Sequence, residues 1–191
     1  MIIRSLAVEN IRSHRRFSRK FSRTVTVITG PNGSGKTSLI EAIMVALGGH
    51  SFKASDSDLL RHDADWWRIE LTIDDQNRTV KYQPGATKPK QFVVDDKVSV
   101  RLSQNTKYPV VLFEPDDLRL LHGSPARRRQ FIDQFAGQLI PGYSRVLRRY
   151  ERALLQRNRL LKSGASDNAL FAWNVSLAQY GAQIIDVRRR L

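Results

Sequence analysis

Gly30-Pro31-Asn32-Gly33-Ser34-Gly35-Lys36-Thr37 is the stretch on which the reading of this chain turns. It satisfies G-x-x-x-x-G-K-[ST], and each fixed position answers a physical need. The glycines let the backbone turn tightly, so that successive amide N–H groups point inward at phosphates, assisted by the positive end of the following helix. Lys36 would reach the β- and γ-phosphates of ATP, and the Thr37 hydroxyl would ligate Mg²⁺; Asn32 and Ser34 are adaptable polar members of the loop. With ordinary glycine usage, a chance match in a chain this long is on the order of one in a hundred.

The flanks supply the context the motif requires. Residues 24–29 (TVTVIT) read as a β-branched strand leading into the loop. Beyond it, Leu39, Ile40, Ile43 and Leu47 recur at helical spacing until Gly48-Gly49 stops the helix. Further upstream, residues 2–8 alternate as a first strand, and residues 12–23 form a basic stretch.

Downstream the pattern changes. Residues 66–100 hold short strand-like runs (WWRIELTI, RTVKY, QFVV, KVSV) separated by Asp, Asn, Pro and Gly clusters, an antiparallel meander whose last hairpin turns at Asp95-Asp96. Residues 109–113 are a compact apolar run of the kind found in buried strands. A hydrolysing P-loop protein needs a further carboxylate after such a run, and Glu114 is the candidate. Pro115 and Asp116-Asp117 follow directly, however, and favour a turn into Leu118, so no catalytic residue is assigned.

The remainder reads as helical. Ser124-Pro125 supplies an N-cap and a first-turn proline for a helix through Phe131, Phe135 and Leu139, broken by Pro141-Gly142. Tyr143, Leu147, Tyr150, Leu154 and Leu161 form an apolar stripe with Arg157 at its one polar place, and Gly164 ends that helix. Leu170, Trp173, Leu177, Tyr180, Ile184, Val187 and Leu191 form a second, so the two helices should fold back as a hairpin. The expected organisation is an α/β lobe over residues 1–123, a mixed sheet with an antiparallel meander, and a helical arm over residues 124–191 that is cut in mid-helix.

Composition narrows the class. The 32 Lys and Arg residues against 18 Asp and Glu give a net charge of +14, the footprint of a protein that meets a polyanion. There is no cysteine, which excludes disulfides and thiolate chemistry and fits a reducing cytosol. No apolar run approaches a membrane span.

The whole chain resembles the RecF family, the ABC-type ATPases of bacterial DNA repair. Asn10-Ile11-Arg12-Ser13 matches the family's N-F-R-N-type motif, GPNGSGKTSLIEAI its P-loop and helix, and Ser51-Phe52-Lys53 its S-F-R. FEPDDLRLLHGSPARRRQFID, residues 113–133, is similar to a segment specific to the family, as are Gln156-Arg157-Asn158 and Ala172-Trp173-Asn174. Lys53 stands where the family usually has arginine and Ile11 where it has an aromatic, and the signature motif, Walker B and D-loop of the family's later half have no counterpart here. The resemblance implies an ABC-type head in which ATP joins two copies, with Arg12 helping to hold nucleotide. It also implies binding to DNA near single-strand/double-strand junctions, cooperation with RecR and RecO to place RecA on gapped DNA, and a cytoplasmic location. Without the signature motif, the chain alone is expected to bind ATP with little hydrolysis. The alternative is a stand-alone P-loop NTPase or small kinase, against which the meander stands where acceptor and lid segments would be needed.

Two basic clusters are candidates for DNA phosphates. Arg15, Arg16, Arg19 and Lys20 are the denser. Arg127, Arg128 and Arg129 sit in the first turns of a helix, where the dipole gives cations no benefit; they either clamp phosphates or pair with Asp116, Asp117 or Asp133. Arg188-Arg189-Arg190 forms a third basic run at the end of the sequence. Of Trp66-Trp67, neighbours in a strand and so on opposite faces, one is expected in the core.

Overall fold

The computed structural model describes residues 1–22 and 25–191, apart from the side chains at 116, 119 and 121. The chain divides into two compact units, Met1–Val110 and Val111–Leu191, so the division falls ahead of Ser124.

The first unit is a six-stranded sheet in the order β2-β1-β3-β4-β5-β6, with every pairing among the described residues antiparallel. Its strands are β1 (Ile3–Ile11), β2 (His14–Lys20), β3 (Trp67–Ile73), β4 (Gln76–Tyr82), β5 (Lys90–Val94) and β6 (Lys97–Ser99). Period-two alternation sends Leu6, Val8, Trp67, Ile69, Leu71, Ile73, Val80, Phe92 and Val94 to one face. There they meet Leu39, Ala42, Val45, Ala46 and Leu47 of α1 (Lys36–Gly48) in one core. Each large apolar side chain so buried contributes about 1.5–3 kcal/mol. The expected meander is β3 to β6, and Asp95 and Asp96, both with positive φ, make the tight turn between β5 and β6. Trp67 is the core member of its pair, donating its indole N–H to the Asp56 carbonyl at 2.8 Å, while Trp66 is exposed.

Three sequence expectations change. The basic stretch after Arg12 contains an edge strand, β2, whose charges obscured its alternation; Phe17 alone packs toward the core. Charged side chains on an edge also discourage pairing with another chain. Thr24 lies outside the described residues, and residues 25–29 are not a strand. Val25 and Val27 are 73% and 77% exposed, and only Ile28 touches the core. Residues 109–113 likewise belong to no strand among the described residues, with Val111 and Phe113 67% and 68% exposed. A β-branched or apolar run becomes a strand only when a neighbouring strand satisfies its backbone, and neither segment has one among the described residues.

A buried arginine closes the far end of α1. Arg78 on β4 donates from Nη1 to the Ala46 carbonyl at 3.2 Å and from Nε to Gln76 at 2.8 Å, with its guanidinium 4.5 Å from the centre of the Tyr108 ring. Burial lowers its pKa, and the electrostatic pull and hydrogen bond of the Tyr108 hydroxyl oppose that.

The second unit is helical: a single turn α2 (Arg119–His122), then α3 (Pro125–Leu139), α4 (Tyr143–Lys162) and α5 (Asp167–Arg190). Ser124 caps α3 by accepting the Arg127 amide, with Pro125 in the first turn. The turn expected after Glu114 is present, with the Asp117 carboxylate accepting the Glu114 amide at 2.8 Å. Tyr143, Leu170 and Ile184 are buried as the stripes required, but Ala153 is buried while Leu154 and Leu161 are exposed. The polar place in the stripe is matched across the hairpin: Arg157 Nε donates to Asn174 Oδ1 at 2.6 Å, a contact that fixes register. Asp133 joins the three long helices. It accepts Tyr143 Oη at 2.5 Å and a fork from Arg188 at 2.8 and 2.7 Å. Arg188 is therefore a structural residue, and Asp133 pairs with it instead of with the triplet at 127–129.

Candidate nucleotide site

The loop between residue 30 and α1 has the backbone its glycines permit. Gly30, Gly33 and Gly35 have φ of 151°, 80° and 86°. At Gly35 the reason is also steric, since a Cβ there would stand 2.3 Å from His14 Nε2 and 2.4 Å from Ser13 Oγ. The turn between β1 and β2 thus packs directly on the loop, and His14 Nε2 lies 3.1 Å from the Gly35 carbonyl.

The start of α1 is left open. Gly35 occupies its N-cap position and no side chain caps it, in contrast to α3. The first amides of a helix have no acceptor within it, and here they meet the positive end of the helix dipole. Lys36 folds back over the loop, its Nζ donating to the Gly30 and Pro31 carbonyls at 2.8 Å each, with a third donor to spare. Thr37 is exposed at the second helical position. Uncapped amides, an ammonium and a free hydroxyl fit the triphosphate and Mg²⁺ of a nucleotide; the lysine and amides would hold the phosphates, and Thr37 the metal.

Arg12 stands beside this loop, in left-handed backbone at φ 46°. Its Nη1 lies 2.6 Å from Glu41 Oε2, its Nη2 donates to Oε1 at 3.3 Å, and its Nε donates to the Asp58 carbonyl at 3.3 Å. Glu41 is fully buried on α1 and also accepts the Ser51 hydroxyl at 2.8 Å. Sequence reasoning missed Glu41, although a lone carboxylate inside the apolar run SLIEAIMVAL was a signal. Ser13 closes the Asn10–Ser13 motif but was given no role, and nothing in the pattern pointed to His14; both lie over twenty residues from Gly35.

The proposed DNA cluster on β2 splits between two faces. Register sets Lys20 beside Ser5 and Arg16 beside Glu9, whose carboxylate is 3.5 Å from Arg16 Nε. Arg15 and Arg19 alternate to the Phe17 side, where the Arg19 guanidinium lies 5.8 Å from the centre of that ring. In the second unit Arg127, Arg128 and Arg129 are all exposed at the start of α3, and Arg128 donates to the Gly123 carbonyl at 3.0 Å. Among the described residues there is no cluster of His, Asp and Glu able to hold a metal, and no helix long and apolar enough to cross a membrane.

Residues 5–158 match the family model described as an AAA domain. A DNA replication and repair protein RecF from Desulforamulus reducens is 35% identical over 98% of this chain and 52% of its own length. The chain thus spans about half the length of the curated relatives it matches. Two solved structures, of the recombination mediator protein RecF with ATP and with ATPrS in the RecFOR pathway, superpose with TM-scores of 0.74 and 0.78. They are 26% and 27% identical and cover 99% and 98% of this chain, against 53% of each of theirs. The head-lobe fold expected from the sequence is therefore present, and the chain belongs to the AAA-domain family, its likeness to RecF proteins running through almost all of its residues.

Proposed function

We propose that this chain is the nucleotide-binding portion of a RecF-like protein of recombinational DNA repair and replication restart. The observation that carries the reading is the uncapped start of α1 behind a loop of positive-φ glycines, with Lys36 poised over it. Its lobe, residues 1–123, holds Mg²⁺-ATP: backbone amides and Lys36 take the phosphates, Thr37 the metal, and Arg12 adds a cation from the β1–β2 turn. The bound nucleotide supplies the energy by which two full-length copies close on one another. The net charge of +14 supports DNA as the polyanion, with Arg16 and Lys20 on β2 and the triplet at 127–129 as contacts. The RecFOR pathway named for the similar solved structures supports RecO and RecR as partners; RecA loading at gapped DNA and a cytoplasmic place rest on the resemblance of the sequence motifs to the RecF family.

Calorimetric titration with Mg²⁺-ATP tests the site. The chain should bind, and Lys36→Ala should abolish binding; equal affinity in the two would overturn the assignment. Purified chain should show little turnover, and robust hydrolysis would instead assign catalysis to a carboxylate such as Glu114.

A further inference from the structure

From the network around Glu41 we infer that this residue is a positioning residue for the nucleotide site, setting the Arg12 guanidinium in place for ATP. The inference rests on the reading of residues 30–37 as an ATP site with Arg12 beside it. A carboxylate fully buried in the core is costly unless paired, so its presence on an otherwise apolar helix needs a reason. Its partners supply one. Glu41 lies one turn after Thr37 on the same stripe of α1, and helical side chains lean toward the N-terminus, which directs its carboxylate toward the phosphate-facing end. There it engages both terminal nitrogens of Arg12, at 2.6 and 3.3 Å.

The Arg12 backbone is held as firmly. Asn10 and Arg12 both have positive φ, 56° and 46°, a conformation L residues adopt at a cost. The Arg12 amide donates to the Leu59 carbonyl and the Arg61 amide to the Asn10 carbonyl, each at 3.0 Å, so residues 59–61 fasten the turn. Nε donates to the Asp58 carbonyl and Nη2 to Glu41 Oε1, Nη1 is ion-paired with Oε2, and the side chain is 33% exposed. A guanidinium held by two hydrogen bonds and an ion pair, with N–H groups remaining on its terminal nitrogens, is pre-organised for an anion. Glu41 also accepts the Ser51 hydroxyl, whose oxygen takes the Lys53 and Ala54 amides at 3.1 and 3.2 Å. One buried carboxylate thus ties the P-loop helix, the β1–β2 turn and the loop after α1.

The test is a double-substitution cycle on the whole chain, read as Mg²⁺-ATP affinity, with melting temperature measured without nucleotide. Glu41→Gln and Arg12→Ala should each weaken ATP binding roughly tenfold, the worth of one charge-assisted contact. The doubly substituted chain should be no weaker than either. Ser51→Ala, which leaves the Arg12 fork intact, should lower the melting temperature and leave ATP affinity unchanged. Unchanged affinity in Glu41→Gln, or losses that add in the double substitution, would overturn the inference. Should Glu41→Gln fail to fold, Arg12→Lys carries the test: the charge stays and the fork is lost, so wild-type affinity would overturn it. Binding that survives Lys36→Ala would instead reject the underlying site.

Discussion

Removing the Tyr143 hydroxyl should change how the stability of the helical unit depends on pH, in a direction its surroundings fix. Burial first, and then the hydrogen bond to Asp133, push the Tyr143 pKa from 10.0 to about 12. The neutral phenol donates to the carboxylate and a phenolate cannot. Because the folded pKa lies above the unfolded one, the stabilisation is complete below pH 10 and is lost as pH rises through about 12. Two units correspond to about 2–3 kcal/mol. At neutral pH, Tyr143→Phe should cost about 1.5–3 kcal/mol for the lost charge-assisted bond. Above pH 12 that difference should nearly vanish, because the wild-type chain has lost the same contribution. Urea unfolding followed by far-ultraviolet circular dichroism at intervals from pH 8 to 12 measures both curves, and other tyrosines cancel in the comparison. Parallel slopes for the two chains between pH 10 and 12 would refute the reasoning.

Gly35→Ala should destabilise the first unit far more than Gly33→Ala. Both glycines have positive φ, at about 1 kcal/mol for alanine, but only Gly35 has Ser13 and His14 within the reach of a Cβ; equal melting temperatures would remove that packing from the account. Arg78→Ala should cost about 2–3 kcal/mol in urea unfolding read by tryptophan fluorescence, since the Ala46 carbonyl loses its donor and Tyr108 its cation; a change under about 0.5 kcal/mol would make the contact incidental. DNA affinity should fall steeply with salt, and Arg16→Ala or Lys20→Ala should each lower the slope of log affinity against log salt by about one; a flat salt response would remove charge as the driver.

How far the sequence carried the reading depended on whether the deciding interactions were local. The P-loop, the stop at Gly49, the cap at Ser124 and the turn at Asp95-Asp96 are set by residues adjacent in the chain, and all were legible. The meander was legible because its buried face alternates cleanly. Residues 25–29 and 109–113 failed for one reason: their composition suits a strand, but pairing is a property of the neighbour. β2 failed conversely, its pairing with β1 being stronger than its charged composition suggested. In the site, the glycines and Lys36 were found by pattern. Glu41 and Arg12 lie twenty-nine positions apart, and only the fold shows that they form one unit.

The strain of this site and its stability belong to the same design. Three positive-φ glycines, two left-handed polar residues and an uncapped helix start all lie on one side of a core that buries α1 along most of its length. Such features persist only where surrounding structure over-determines them, and the burial of Leu39, Val45 and Leu47 does so. The amides at the start of α1, like those of α4 and α5, have no side-chain cap, but only these sit behind a loop of positive-φ glycines with Lys36 beside them. An anion bound there adds stability that the chain alone lacks, by about 2.7 kcal/mol at a hundredfold excess over its dissociation constant. Nucleotide should therefore raise the melting temperature of the first unit in step with its concentration, and Lys36→Ala should abolish the rise. A chain whose first transition ignores Mg²⁺-ATP while the loop folds as described would separate the P-loop's shape from its chemistry.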